Sequence, residues 1–355
     1  MSVQSFDLAA ADDPRDVLHQ TVQHLVEGGV ATLPLENGPC GVMMATAKPP
    51  SDDAFVDAAL LLDSIDAAAD WLPDLSVVQT RLVMRCWPGP VTFVVPESDW
   101  TLAPALPQGV RRCVSSDAGL AVRVASAAVV EDVLALLPAP LIVGEEGSWP
   151  TYSQLELRNG NPRKLQPATR VRLHDDTFTI DREGALPLAE LQGRAGMEVI
   201  FLCTGNTCRS PMAEAIFRDL AAKSLGVAPD QLESAGVKVR SVGLAASEGA
   251  PASGDAVQVA ADHGLDLENH RSRPATLDLL SRADAVLTMT QGHRAAILSQ
   301  APELAATVQP LVPDGRDVTD PIGMGRGEYE ACFAEIREAI EQRLPSLLDG
   351  VGRTA

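Results

Sequence analysis

Apolar residues recur along the chain with two distinct periods. After "DDPR" they fall at Val17, Leu18, Val22, Leu25 and Val26, the spacing of one helical face. Asp13 stands as a cap, Pro14 takes the first helical position, and Gly28-Gly29 end the run. Strand-like runs follow, "VATLPL", "VTFVV", "LAVRVA", "APLIVG", "TRVRL" and "TFTI", between helical stretches such as "VVEDVLALL". Many short strands mixed with helices of modest length predict an α+β domain.

Around "LPLAELQGRAG" the pattern resets, with the step between domains at 193–197. The first domain is therefore placed at 1–192 and the second at 197–355. The second alternates cleanly. A strand at 198–202 leads to a helix from about 211, with Ala213, Ile216, Phe217, Leu220 and Ala221 on one face. Then come "LESAGVKV", a helical "SGDAVQVAADHG", a helix near 275–282, a strand at 285–290 and a helix at 291–299. A strand at 308–312 and a long helix over about 327–348 close the series. Strands alternating with helices predict an α/β domain, a parallel sheet between two helical layers.

Composition narrows the partners. The chain has 355 residues, more than one core usually organises, and 46% of them are hydrophobic. A formal net charge of −20, with no dense Lys/Arg cluster, argues against nucleic acid and against an anionic membrane surface. The N-terminus "MSVQSFDLAAADDPRD" has no basic and apolar leader, and no apolar run reaches bilayer length, so a cytoplasmic protein is expected. Six cysteines, Cys40, Cys86, Cys113, Cys203, Cys208 and Cys332, are too few and scattered for a disulfide scaffold, and no zinc-knuckle spacing occurs. No metal or cofactor is implied.

The chemistry concentrates in "EVIFLCTGNTCRSPMAEAIF" at 198–217. In a parallel sheet, ligands sit beyond the carboxyl ends of the strands, where loops enter helix N-termini. The loop Cys203–Thr204–Gly205–Asn206–Thr207–Cys208 occupies such a place. Its amides can form a nest for an anion, to which the following helix adds its positive end. Gly205 is expected to let the loop curl closely around a ligand, and Asn206 to brace it. A thiol at Cys203, ringed by N–H groups and beside Arg209, is a nucleophile toward phosphorus. Arg209 offers a planar fork for two phosphoryl oxygens, and Ser210 a hydrogen bond to the sulfur. "DVTDPIGMG" places Asp320, stiffened by Pro321, on a loop at the same sheet edge, where one carboxyl can serve as acid and then base. A C-x5-R spacing alone is a weak signal. Its place between an apolar strand and an amphipathic helix, with Asp-Pro downstream, weighs against a merely structural loop.

These residues resemble the signature of the low-molecular-weight protein tyrosine phosphatase family. The likeness extends over 197–350 through "SAG" at 234–236, "HRSR" at 270–273, "ADAVLTMTQGH" at 283–293 and "DP" at 320–321. The resemblance implies a flavodoxin-like, three-layer domain with a four-stranded parallel sheet. It makes Cys203 the nucleophile, Arg209 the phosphate clamp, Ser210 the thiolate helper and Asp320 the general acid. It matches Cys208 to the second loop cysteine, which in the family can pair with the nucleophile under oxidation; a small buried filler is the other reading.

The phosphorylated partner is expected to be a protein. Phosphotyrosine needs a slot with aromatic walls, and Asp320-Pro321 is followed by Ile322-Gly323 rather than by a ring. "CTGNTCRSPMAEA" is similar to the protein arginine phosphatase branch, and that resemblance implies that Thr207 helps select phosphoarginine. Tyrosine phosphatase activity is the alternative, and a non-catalytic phosphoprotein-binding module is the competing class. Arsenate reduction would need two further redox cysteines, whereas only Cys332 lies downstream.

The first domain resembles, more faintly, the Sua5/YrdC family, through "GGVATLPLENGPCGV" (28–42), "WPGPVTFVV" (87–95) and "LAVRVAS" (120–126). Members of that family make threonylcarbamoyl-adenylate. Here Asn37-Gly38-Pro39-Cys40-Gly41 replaces a Thr-Val-Tyr-Gly stretch, and "TAKPPSDD" keeps only Lys48 of the nucleotide motif. "VGEEGSWP" puts Glu145 and Glu146 where an anion should bind, the wrong charge beside a triphosphate. Arg123 survives and reads as half of a structural ion pair. The expectation is a retained fold with lost synthetase chemistry and an unknown ligand.

Overall fold

A computed structural model describes residues 3–51, 55, 57–72, 75–96, 105–144, 152–160, 166–175 and 177–348. Glu145 and Glu146 lie outside the described residues. The chain divides into two compact units between Arg194 and Ala195.

In the first unit the leading helix spans Pro14–Val26, and the Asp13 carboxylate accepts from the Arg15 amide as its cap. The chain then turns through an antiparallel hairpin, Ala31–Leu35 with Gly38–Met44. Further strands extend this pair into a mixed sheet of eleven strands among the described residues. Val91–Val95, for example, runs parallel to Thr169–His174 and antiparallel to Gly119–Val124. Leu25, Leu33, Val42, Leu61, Val94 and Val133 lie in one apolar core beneath it.

The second unit is a parallel sheet in the order Val237–Gly243, Met197–Cys203, Ala285–Thr288, Val308–Pro310, as a flavodoxin-like domain requires. Met197–Cys203 lies inside the sheet, and every residue from Val199 to Cys203 is buried. Alternation along the strand sorts its side chains to two faces. Val199, Phe201 and Cys203 share a core with Met212, Ile216 and Phe217 of the helix Arg209–Leu225 and with Phe333 and Ile336 of the helix Arg326–Leu347. Ile200 and Leu202 face Leu280 and Ile297, from the helices Leu277–Ser281 and Gln291–Leu298. Cys203 therefore ends the strand on the side of the long helices.

Element ends differ from the sequence pattern for local reasons. The helix expected from about 211 begins at Arg209, so Arg209 and Ser210 belong to its first turn. It stops at Gly226, in the left-handed region at φ 69°, whose amide returns to Ala222 and Lys223. The strand expected to reach 290 ends at Thr288, because the Thr290 side chain accepts from the His293 amide and caps the next helix. "LESAGVKV" becomes a strand only at Val237, after Gly236 turns the chain at φ 85°.

Candidate active site

Cys203 lies opposite Gly243 in the parallel register, and the chain leaves the sheet there as a tight loop. The carbonyls of this loop are engaged from outside. Cys203 O accepts from Leu244 N at 3.0 Å, Thr204 O from Ala245 N at 2.9 Å and Thr207 O from Ser253 N at 2.8 Å. Asn206 O accepts from His270 Nε2 at 2.8 Å. With the carbonyls tied outward, the amides of Gly205, Thr207 and Cys208 meet no acceptor among the described residues. This is the arrangement of an anion nest, set against the first turn of a 17-residue helix.

Asn206, not Gly205, takes the left-handed turn, at φ 54°. A Cβ on Gly205 would touch only Thr207 Oγ1, at 3.5 Å, so the protein around the loop leaves room for a side chain there. Asparagine tolerates the left-handed region and offsets its cost with local hydrogen bonds. Here Asn206 Nδ2 donates to Ser210 Oγ at 3.0 Å and Oδ1 accepts from Arg273 N at 2.8 Å. Its own amide points at Cys203 Sγ, 3.2 Å away. The close approach that does require glycine is at Gly243, where a Cβ would lie 2.5 Å from Thr204 O and 2.8 Å from Asn206 N.

Cys203 Sγ is buried and 3.0 Å from Ser210 Oγ. The hydroxyl has one proton to give and two places to give it. While the sulfur is a thiol, S–H donates to Oγ and the hydroxyl donates to Val242 O at 3.2 Å. Once the sulfur is an anion, the hydroxyl turns to it, and Asn206 Nδ2 still donates to the oxygen.

Arg209 is 4% exposed. Its Nη1 donates to Val318 O at 3.2 Å, and its Nη2 forms an ion pair with Asp320 Oδ2. The Asp320 side chain is 45% exposed, so the pair sits at the mouth with its cation inside and its anion toward solvent. Val318 is held by its amide to Met289 O at 2.8 Å, which fixes the start of the Asp320 loop to the end of the third strand.

Cys208 turns to other partners. Its Sγ lies 3.1 Å from Tyr329 Oη and 3.3 Å from Ser253 Oγ, with Thr207 Oγ1 at 3.6 Å. Burial, and then the bond to Cys208, push the Tyr329 phenol up to about 12. Both loop cysteines are free thiols.

The structure thus brings Cys203, Asn206, Ser210, Arg209 and Asp320 to one cleft, with Thr204 at its rim. Four contributors have no role assigned by the sequence, although three of them lie in the stretches "HRSR" and "ADAVLTMTQGH". Gly243 is one glycine among 27, and only the register shows what it faces. His270 and Arg273 brace Asn206 from a loop more than sixty positions away. His293 contacts Thr204 Oγ1 through Nε2 at 2.9 Å; the sequence signals for it are its place at the end of "ADAVLTMTQGH" and just after a strand at the same carboxyl edge.

The profile of the low molecular weight phosphotyrosine protein phosphatase family matches residues 198–354. Over 150 residues the chain is 38% identical to the protein-arginine-phosphatase of Bacillus subtilis (strain 168), covering 41% of this chain and 93% of the relative. It is 33% identical over 150 residues to the probable low molecular weight protein-tyrosine-phosphatase EpsP of Ralstonia nicotianae, covering 42% and 94%. Among solved structures, that of a YwlE mutant from Bacillus subtilis is 36% identical, covers 43% of this chain and 99% of that one, and has a TM-score of 0.38.

Gly243→Ala is expected to displace the loop although the backbone at 243 suits alanine, because the clashing atoms belong to the backbone. Unfolding of the second unit should cost about 1–3 kcal/mol less, the usual penalty of overpacking. Phosphatase turnover should fall at least about tenfold through the misplaced loop. Denaturant unfolding and aryl phosphate hydrolysis measure the two effects.

Proposed function

The chain belongs to the low molecular weight phosphotyrosine protein phosphatase family through residues 198–354 and is a cysteine-dependent phosphatase; on that premise we propose that it hydrolyses phosphoarginine in proteins through a phosphorylated Cys203. The phosphoryl group enters the nest of loop amides and takes the Arg209 fork, displacing Asp320 from Nη2. Cys203 Sγ forms a bond to phosphorus as the P–N bond breaks, and Asp320 protonates the departing guanidine nitrogen. Water then attacks the phosphocysteine, Asp320 accepts its proton, and sulfur leaves as a thiolate held by Ser210 and the Asn206 amide.

One observation carries the choice of substrate. The second unit contains only four Phe, Tyr or Trp residues, Phe201, Phe217, Tyr329 and Phe333, and each is at most 2% exposed. None is available to stack on a phosphotyrosine ring, and Tyr329 is committed to Cys208. Thr207 keeps the pocket floor small and polar, and the Asp320 carboxylate suits a guanidinium at the mouth. The arginine phosphatase activity of the Bacillus subtilis relative agrees with this reading.

For the first unit, the reading is a Sua5/YrdC-like fold that has lost its synthetase chemistry. Arg123, the retained basic residue, is fully buried and donates from Nη2 to Glu36 Oε1 at 2.7 Å and to Asn37 Oδ1 at 2.6 Å. Much of its capacity for an anion is thereby taken up by an internal carboxylate, although Nε and Nη1 have no partner among the described residues. Lys48 is exposed and offers no preformed nucleotide grip. A cytoplasmic location fits the acidic composition, and no described helix is long and apolar enough to cross a membrane.

Phosphoarginine peptides should be hydrolysed with kcat/KM at least about tenfold above phosphotyrosine peptides, with Cys203→Ser inactive on both. Thr207→Ile should narrow that gap. A wild-type preference for phosphotyrosine that Thr207→Ile leaves in place would remove the arginine assignment, and turnover independent of Cys203 would remove the proposed nucleophile. Asp320→Asn should lower kcat by about 10²–10⁴. The same variant should bind inorganic phosphate more tightly in product-inhibition assays, because Arg209 loses its competing internal anion. With threonine, bicarbonate and ATP, the chain should release no pyrophosphate above background.

A further inference from the structure

His293 is a buried imidazole at the rim of the phosphate loop, and neither the nucleophile nor the acid explains it. Its backbone is fixed as the third residue of the helix Gln291–Leu298, where its amide donates to the capping Thr290 Oγ1 at 3.1 Å. Its side chain reaches back to the first loop residue after the nucleophile, with Nε2 2.9 Å from Thr204 Oγ1. The residue is 8% exposed, and Nδ1 has no partner among the described residues.

A neutral ring permits two arrangements. With the proton on Nδ1, a buried N–H donor is left without an acceptor. With the proton on Nε2, the orphan is a lone pair. Unmet buried acceptors are better tolerated than unmet N–H groups, and the nearby positive charge of Arg209 favours a lone pair over another donor. The second arrangement also changes Thr204. Its hydroxyl then accepts from the ring, and its own proton is left for an acceptor in the cleft.

We propose that His293 is a positioning residue of the phosphatase site: neutral and protonated at Nε2, it holds Thr204 so that the threonine hydroxyl and the first peptide of the loop face the bound phosphoryl group. The charged groups around it oppose one another. Burial, and then Arg209, push the imidazole below its ordinary value, while Asp317 and Asp320 pull it upward. The ring is neutral above the ordinary imidazole value of 6.5 and takes up a proton only at lower pH. On protonation both nitrogens become donors, and Nδ1–H has nothing to bond, so the contact with Thr204 is disturbed as the pH falls. This inference rests on the phosphatase reading of the Cys203 cleft.

The test uses the full chain. His293→Ala should lower kcat at least about tenfold with KM changed by less than about twofold, since a mobile loop costs the transition state more than the ground state. His293→Gln keeps an N–H donor near the position of Nε2 and should restore most of kcat. It should also move the acidic fall of the kcat profile to lower pH. Unchanged kcat in His293→Ala would overturn the proposal. So would an equal loss in both variants with an unaltered pH profile, the signature of a ring that only fills space. Imidazole ¹⁵N shifts of the resting protein should show the proton on Nε2 and a change on Thr204→Val; a proton on Nδ1 would overturn the proposal too. The ring measurement needs no turnover. If Cys203→Ser remained active, the reading of the cleft would fail while the tautomer still decided the role of His293.

Discussion

The site depends on the placement of Asn206. A left-handed residue between a strand and a helix lets the chain reverse around a small volume, and the bonds on both sides of Asn206 keep it there. Its side chain joins Ser210 to Arg273, its carbonyl is tied to His270, and its amide faces the sulfur of Cys203. Each bond is worth about 1 kcal/mol net, and breaking one in a buried setting costs more because a polar group is stranded. The loop amides therefore converge before any ligand arrives. Little reorganisation is left for the moment of binding, which is the condition under which fixed dipoles stabilise developing charge most effectively.

Much of this was legible in the sequence, and the reasons are physical. The apolar run before Cys203 could only be an inner strand, and the alternation of strands and helices dictated a parallel sheet. Together these put the loop and Asp320 on one edge. What stayed hidden was the set of contacts that cross the sheet. Gly243 is ordinary until the register places it against Thr204 and Asn206. The role of Asn206 was legible as a brace but not as the left-handed turn of the loop. The role of His293 was hidden for a similar reason, since a histidine early in a helix has no function until something is known of what it faces.

The two cysteines of the loop show how neighbours in sequence acquire different chemistry. Cys203 ends a strand, so its side chain is set by the sheet face and receives an amide and a hydroxyl. Cys208 precedes the helix, points at a phenol and a serine from other segments, and is held among them. The same thiol group is thus surrounded by donors in one place and by a buried aromatic alcohol in the other. Tyr329 in turn resists ionisation because its oxygen is buried beside that sulfur.

The pairing of Arg209 with Asp320 has a consequence for where the reaction obtains its proton. In the empty cleft the Asp320 carboxylate is the anionic half of an ion pair with a permanent cation. In that pair it holds no proton for a leaving group. If Asp320 is the acid proposed above, it must be loaded as the cleft fills, either from the Cys203 thiol or from a singly protonated phosphoryl group. The incoming anion that takes the arginine also frees the aspartate to receive that proton. Filling the cleft and arming the acid would then be a single event.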